Sequence, residues 1–355
     1  MGCSITGGIA LAAFAAALIV SQPAGAQAPK TVAEIANYAG ADRQKILEDG
    51  ARREGSVMVY MTGTQIQPLM DRFRQKYPFI KIEASRLGSA ETSQKVLEEY
   101  GGGLHQVDIF ELAIEGLMGP REQGILQPFS SPEMASYEKD AIEPNRRWAS
   151  VRVGMIGIGV NTGKVPLSEA PKTYDDLLDP KWKGRMALSG SISTAANWLG
   201  VILLDKGEDY VRKLAAQNSR IYQVTSRAIA NLMITGEVEI APMTYASHVI
   251  ASNAQGAKLA WIPPGPVYVL DTVTAIATKS PHPHAAMLMI DFLMSKEGQF
   301  IYRELGYESS RTDMPPGQLP PVKKAFLTNR PTYLDDFEKW AQMFRTLFDR
   351  PGGNR

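Results

Sequence analysis

Residues 55–63 read GSVMVYMTG. The six residues 56–61 are mostly apolar, with valine and tyrosine among them, and glycines stand at 55 and 63, a pattern that predicts a short buried strand. Just beyond, Ile66, Leu69, Met70 and Phe73 recur at helical spacing, so a helix is expected over 66–77. The unit then repeats. Residues 79–84 (FIKIEA) read as a strand, 90–100 as a polar helix stopped by glycines 101–103, 107–112 (VDIFEL) as a strand and 114–123 as a helix. Three strand–helix units in a row argue for right-handed crossovers and a largely parallel sheet, hence an α/β fold. Such sheets bind ligands at the carboxyl ends of their strands, which here means Thr62, Gly63 and Thr64, residues 85–89, and Glu111.

Residues 148–160, WASVRVGMIGIGV, form an extended stretch long enough to leave one lobe and enter another. A second series follows, with strands expected at 186–188, 238–242 and 257–262 and helices at 195–206 and 209–217. The β-rich run 272–277 is placed to return to the first lobe. Two crossings make a hinge, and hinged lobes enclose a cleft. The expected division is 40–153 plus 268–298 for the first lobe, 154–267 for the second, and C-terminal helices over 299–355 packed on the second. In that tail Leu334, Phe337, Trp340, Ala341, Phe344 and Leu347 form an apolar stripe. The acidic start DDFEK favours docking on a lobe over lying on a membrane.

At the amino end an apolar run from Ile9 to Val20 leads to Ala24-Gly25-Ala26, the pattern of a secretory leader over 1–26 cut before Gln27. The run is too short to span a bilayer as a helix. Met1-Gly2-Cys3-Ser4-Ile5-Thr6 also fits an N-myristoylation pattern, but the joint leader signal outweighs it. Cys3 is the only cysteine, so the mature chain must be held by packing, without disulfides or thiolate metal sites. With 38 basic against 37 acidic residues and no basic run interleaved with aromatics, nucleic acid is excluded as the expected partner.

Five stretches together resemble the extracellular solute-binding proteins of ABC importers, in the branch of the ferric-ion binding proteins. They are GSVMVYMTG at 55–63, VDIFEL at 107–112, YDDLLDPKWKGRMALSG at 174–190, TGEVEIAPMTYASHV at 235–249 and AAMLMIDFLMSKEGQ at 285–299. The resemblance implies a two-lobed periplasmic binding protein fold of type II, with a mixed, largely parallel sheet in each hinged lobe. It further implies a periplasmic monomer that closes on one small solute and hands it to permease subunits in the inner membrane. No cofactor and no catalysis are implied. Because the fold also carries sensors and enzymes, these remain the alternatives.

Candidate ligand contacts cluster at helix starts. In LSGSIST, 188–194, hydroxyls gather between a strand and the helix expected from 195; the resemblance puts Ser191, Ser193 and Thr194 where relatives hold an anion oxygen. The competing reading is a simple helix cap. At Thr225-Ser226-Arg227, Ser226 is a candidate cap and Arg227 a paired donor for a carboxylate or phosphonate. Glu111 either binds a ligand ammonium or faces solvent. The resemblance also implies paired tyrosines after the strand in GEVEI, as hard oxygen ligands for ferric ion. Here Ala246 and Ser247 occupy those places and Tyr245 stands one residue early. The expected solute is therefore an organic anion or zwitterion, a carboxylate or phosphonate, packed against Tyr60 or Tyr245. Ferric ion on an altered ligand set including Tyr245 is the alternative. His248, in a cleft loop, is expected to be structural, as are His282 and His284 in a turn.

Overall fold

The strand read from GSVMVYM forms over Ser56–Met61, and its Val57, Val59, Tyr60 and Met61 are buried. The computed structural model describes residues 1–2, 29–63, 66–265, 269–315, 319 and 332–348. The leader's apolar run and cleavage triplet, Thr64, and most of the proline-rich stretch before 332 lie outside the described residues. No helix among the described residues is long and apolar enough to cross a membrane.

In chain order the first lobe opens with α1 (Val32–Asn37), α2 (Arg43–Glu54), β1 (Ser56–Met61), α3 (Gln67–Lys76), β2 (Lys81–Arg86), α4 (Ser89–Gly101) and β3 (Ile109–Ala113). A 3₁₀ turn, Ile114–Leu117, leads into α5 (Met118–Glu122) and β4 (Leu126–Gln127). Then comes β5 (Ala149–Asn161), followed by β6 (Ala187–Ser189), α6 (Ile192–Ala215), β7 (Arg220–Tyr222), α7 (Ser226–Thr235), β8 (Ile240–Tyr245), α8 (Ala246–Asn253) and β9 (Leu259–Ile262). β10 (Val269–Ala277), α9 (Pro283–Met294), α10 (Lys296–Glu304) and α11 (Tyr333–Leu347) complete the chain.

β1 pairs in parallel with β2 on one side and β3 on the other, as the alternating pattern requires. β10 returns antiparallel between β3 and β5, so the order is β2-β1-β3-β10-β5-β8. At about 3.4 Å per residue, β5 is long enough to serve both lobes. Its residues up to Met155 pair with β10, and those from Ile156 onward pair with β8 and β9. β6 and β7 form a separate parallel pair joined to β8 by a Met186–Ile240 bridge.

Each lobe buries its own core. Val57, Val59, Phe73 and Ile109 pack with α9, which is apolar on nearly every face, and each such side chain contributes about 1.5–3 kcal/mol of transfer free energy. In the second lobe Ile158, Trp182, Trp198, Leu199 and Ile240 pack together. The two helices expected at 195–206 and 209–217 are one helix, α6, broken at Gly207, whose φ of 78° suits glycine alone.

The tail divides. α11 lies along α6, close enough that a Cβ on Gly200 would sit 2.3 Å from Trp340 Cε3. Phe344 joins the second lobe's core, whereas Tyr333, Phe337 and Trp340 share a cluster with Ala196 and with Phe110 and Leu112 of the first lobe. Against the expectation for 299–355, α10 packs on α9 and α3 and buries Tyr302 in the first lobe's core. Only Ser295 separates α9 from α10, and its hydroxyl caps α10, so the turn is too short to reach the other lobe.

Candidate functional site

A cavity of about 430 Å³ opens between the lobes at the carboxyl ends of the strands. Four helices begin on its wall: α4 at Gly88 and Ser89, α6 at Ser191, α7 at Thr225 and Ser226, and α8 just after Tyr245. Each brings unpaired backbone N–H groups and a partial positive charge, so the wall is built to receive negative charge.

Of the side chains singled out in the sequence, Thr62, Ser191, Ser193, Thr194, Ser226, Arg227 and Tyr245 line this cavity. Thr64 lies outside the described residues. Ser191 is the N-cap of α6, yet its side chain makes no cap hydrogen bond, so capping does not consume its hydroxyl. At α7 the cap is Thr225, which accepts from Ala228 N at 3.3 Å, and Ser226 is the first helical residue instead of the cap. Arg227 uses Nη1 to donate to His248 O (3.1 Å) and Ser252 Oγ (3.2 Å), which fixes its guanidinium beside the cavity.

Three readings are corrected. Glu111 neither lines the cavity nor faces solvent: it is 1 % exposed and accepts from Arg152 Nε at 2.8 Å and Gly63 N at 3.3 Å. Gly63 is likewise buried beneath the wall, holding that carboxylate with its N–H. A loop was expected around 245–249, but β8 runs straight into α8 at Ala246. The helix turns Ser247 and His248 to the cavity, and Ser247 Oγ and His248 Nδ1 are buried there with no hydrogen-bond partner among the described residues.

Other lining groups gave weaker sequence signals. Arg152 is a lone charge in the apolar run of β5, a pattern that marks a buried, partnered cation. Its Nε is taken by Glu111, its guanidinium lies 4.8 Å from the Tyr307 ring, and Nη1 and Nη2 have no hydrogen-bond partner among the described residues. Arg86 stands exposed at the rim with no ion pair among the described residues. Glu115 and Asp271 are the acidic residues of the wall, and Tyr307 and Tyr333 add phenols to Tyr245.

Electrostatics of the floor follow from burial. Desolvation pushes the His248 imidazole down to about 3, helped by the charges of Arg227 and Arg152, so it is neutral at physiological pH. Burial pushes the Tyr245 phenol well above its ordinary range, an effect its hydrogen bond with Thr194 only partly offsets. Because His248 is protonated far more readily in the unfolded chain, the stability it confers is complete above an unfolded value near 6.5. That stability falls as pH drops toward about 3. Between pH 7.5 and 5 this costs about 2 kcal/mol, so His248→Gln should flatten the pH dependence of Tm over that interval. An unchanged slope would show that His248 is not held neutral by the fold.

A protein-family model described as "Bacterial extracellular solute-binding protein" matches residues 110–333. An uncharacterized protein of Haemophilus influenzae is 28 % identical over 272 residues, 70 % of this chain and 75 % of its own length. Among solved structures, iron-bound HitA from Pseudomonas aeruginosa superposes with a TM-score of 0.67 at 18 % identity, covering 82 % of this chain and 99 % of HitA. The substrate-binding protein of an ABC transporter from Agrobacterium tumefaciens gives 0.70 at 15 % identity, over 82 % and 94 %. AfuA from Actinobacillus pleuropneumoniae, with exogenous fructose-6-phosphate bound, gives 0.66 at 20 %, over 84 % and 99 %. These structural likenesses speak for the two-lobed fold alone. The family match, spanning more than half of the sequence from within β3 to the first residue of α11, places this chain in the bacterial extracellular solute-binding protein family.

Proposed function

We propose that the chain is the periplasmic receptor of an ABC importer and that its solute is a small organic anion or zwitterion bearing a carboxylate or phosphonate. One observation carries the reading: four helix N-termini and the guanidinium groups of Arg86, Arg152 and Arg227 converge on one interlobe cavity. Paired N–H donors of arginine match the planar oxygens of a carboxylate and the tetrahedral oxygens of a phosphonate. Asp271 supplies an acceptor for a ligand hydroxyl or ammonium. Binding would favour the closed lobes in proportion to the extra contacts available there, and the closed form would be presented to the permease subunits.

Ferric ion as cargo is the second reading, favoured by the three phenols of Tyr245, Tyr307 and Tyr333 on the same wall. Against it, burial raises Tyr245 and Tyr333, which opposes the phenolates that iron requires. Among the described residues no group of three His, Cys, Asp or Glu is placed to hold a metal.

A thermal-shift screen with carboxylates, phosphonates, polyamines, thiamine and ferric salts separates the readings. A true ligand at about 100 times its Kd adds about 2.7 kcal/mol of stability. Stabilisation by carboxylates or phosphonates is expected; failure of every anion tested would sink the anion reading. A coloured iron-loaded protein that bleaches in Tyr245→Phe would establish the ferric one.

A further inference from the structure

The acidic and basic side chains of the cavity sit at different ends of it. Across the pair of β10 and β5, Asp271 stands opposite Val153 and Thr272 opposite Arg152. Opposed residues share a face of an antiparallel pair and successive residues alternate, so Asp271 and Arg152 leave the sheet on opposite faces. Asp271 shares its face with Val273 and Leu112, which pack in the cluster that holds Tyr333. Glu115 completes this acidic end. Its Oε1 accepts from Ser193 Oγ, and Oε2 has only a long side-chain contact, 3.5 Å from Tyr333 Oη, whose nearer acceptor is Asn197 Oδ1 at 2.8 Å. Burial raises the Glu115 carboxyl, hydrogen bonds from Ser193 and Tyr333 lower it, and no cation among the described residues pairs with it. Ser193, having given its hydrogen to Glu115, has none left for a ligand oxyanion.

On the other face Arg152 meets the start of α8. A Cβ on Gly306 would lie 2.8 Å from Ser247 Cα, and the next residue, Tyr307, carries the ring that stands 4.8 Å from the Arg152 guanidinium. Arg227 is fixed to α8 through His248 O and Ser252 Oγ. Ser247 and His248 are 2 % and 9 % exposed, and Ser247 Oγ and His248 Nδ1 have no hydrogen-bond partner among the described residues. Tyr245 crosses between the two ends: it is the N-cap of α8, and its hydroxyl bonds to Thr194 of α6. Beyond burial and hydrogen bonds, the charges that act on His248 are Arg227 and Arg152, and those that act on Tyr333 are Glu115 and Asp271. Tyr245, between them, feels Glu115 and then Arg152.

We propose that the solute is a zwitterion whose two charges are held apart by a short chain, its ammonium on Glu115 and Asp271 and its oxyanion at the start of α8 between Arg152 and Arg227. Glu115 is then a specificity-determining residue. An ammonium gives Oε2 the charged donor it lacks, whereas a simple anion would fill the cavity and leave that carboxylate desolvated with no cation beside it. An α-amino acid carries both charges on one carbon and does not reach along the Tyr245 ring. This inference rests on the anion-receptor reading and selects the zwitterion within it.

Calorimetric titration of the full chain at neutral pH with 3-aminopropylphosphonate, propylphosphonate, aminomethylphosphonate and 1,3-diaminopropane tests it. 3-Aminopropylphosphonate is expected to bind at least about tenfold more tightly than propylphosphonate, the ratio that one charged hydrogen bond supplies. It should also bind more tightly than aminomethylphosphonate, whose charges share one carbon. In Glu115→Gln, which keeps the Ser193 bond and the side chain's shape, the two propyl compounds should move in opposite directions. The amino compound weakens for want of its partner, and propylphosphonate tightens because a repelling carboxylate is gone. A merely structural role for Glu115 would weaken both together, and that result overturns the assignment. Propylphosphonate equal to the amino compound in the wild type would overturn the zwitterion and leave the anion reading standing. Equal binding of aminomethylphosphonate would overturn the separation of the two charges, and tightest binding of 1,3-diaminopropane would overturn the oxyanion end. Failure of every phosphonate would count against the anion reading itself and remove this inference with it.

Discussion

Arg152→Ala is expected to cost about 3–5 kcal/mol of stability and to abolish anion binding in whatever protein remains folded. The stability loss comes from Glu111, 1 % exposed, whose carboxylate would keep, among the described residues, only the Gly63 N–H. The binding loss comes from the two Arg152 nitrogens beside the cavity, which have no hydrogen-bond partner among the described residues. These effects can be separated. The double change Arg152→Met with Glu111→Leu removes both charges and fills the space with apolar groups, so most of the stability should return, as it commonly does when a buried pair is replaced whole. Binding should not return. Urea denaturation and calorimetric titration read the two quantities independently, and recovery of binding by the double variant would show that Arg152 does not contact the solute.

Asp108→Ala should be about as destabilising, roughly 3–5 kcal/mol, though it touches nothing in the cavity. Asp108 is fully buried and accepts from Met58 N at 2.7 Å, Ser280 Oγ at 2.6 Å and His282 N at 2.7 Å, with His282 Nδ1 at 2.9 Å. It therefore knots β1, β3 and the start of α9, and its loss would strand several buried donors at once. His282 Nε2 lies 3.1 Å from Ser56 Oγ, so serine, histidine and aspartate stand in relay order. Ser56 begins β1 while Thr62 follows its end, about 20 Å along the strand, which puts the relay at the opposite end of the sheet from the cavity. A loss below about 1 kcal/mol in Asp108→Ala would mean that the knot carries little of the fold's stability.

Much of this was legible in the chain. The strand at 56–61 needed only its β-branched and aromatic content between glycines, and β5 showed itself by being too long and too apolar for one lobe. Ser191, Ser193 and Thr194 were found because hydroxyls between a strand and a helix are a local signal, and local signals survive without a structure. The setting of His248 was misread for a local reason too. Reading 245–249 as a loop hid the helical turn that carries Ser247 and His248 to the cavity, since three small or polar residues after a tyrosine resemble a loop more than a helix start.

By itself the sequence determined the alternation of strands and helices, the two-lobed fold, and three of the four helix starts on the cleft wall, because these leave their marks among neighbours within a few residues. Only the tertiary structure decided which carboxylates belong to the protein and which belong to the site. Glu111, expected in the cleft, is neutralised by a residue 41 positions away, and Glu115, never suspected, meets a tyrosine 218 positions away. Charge pairing follows distance in space, burial alters the cost of every unpaired charge, and neither quantity leaves a period in the chain.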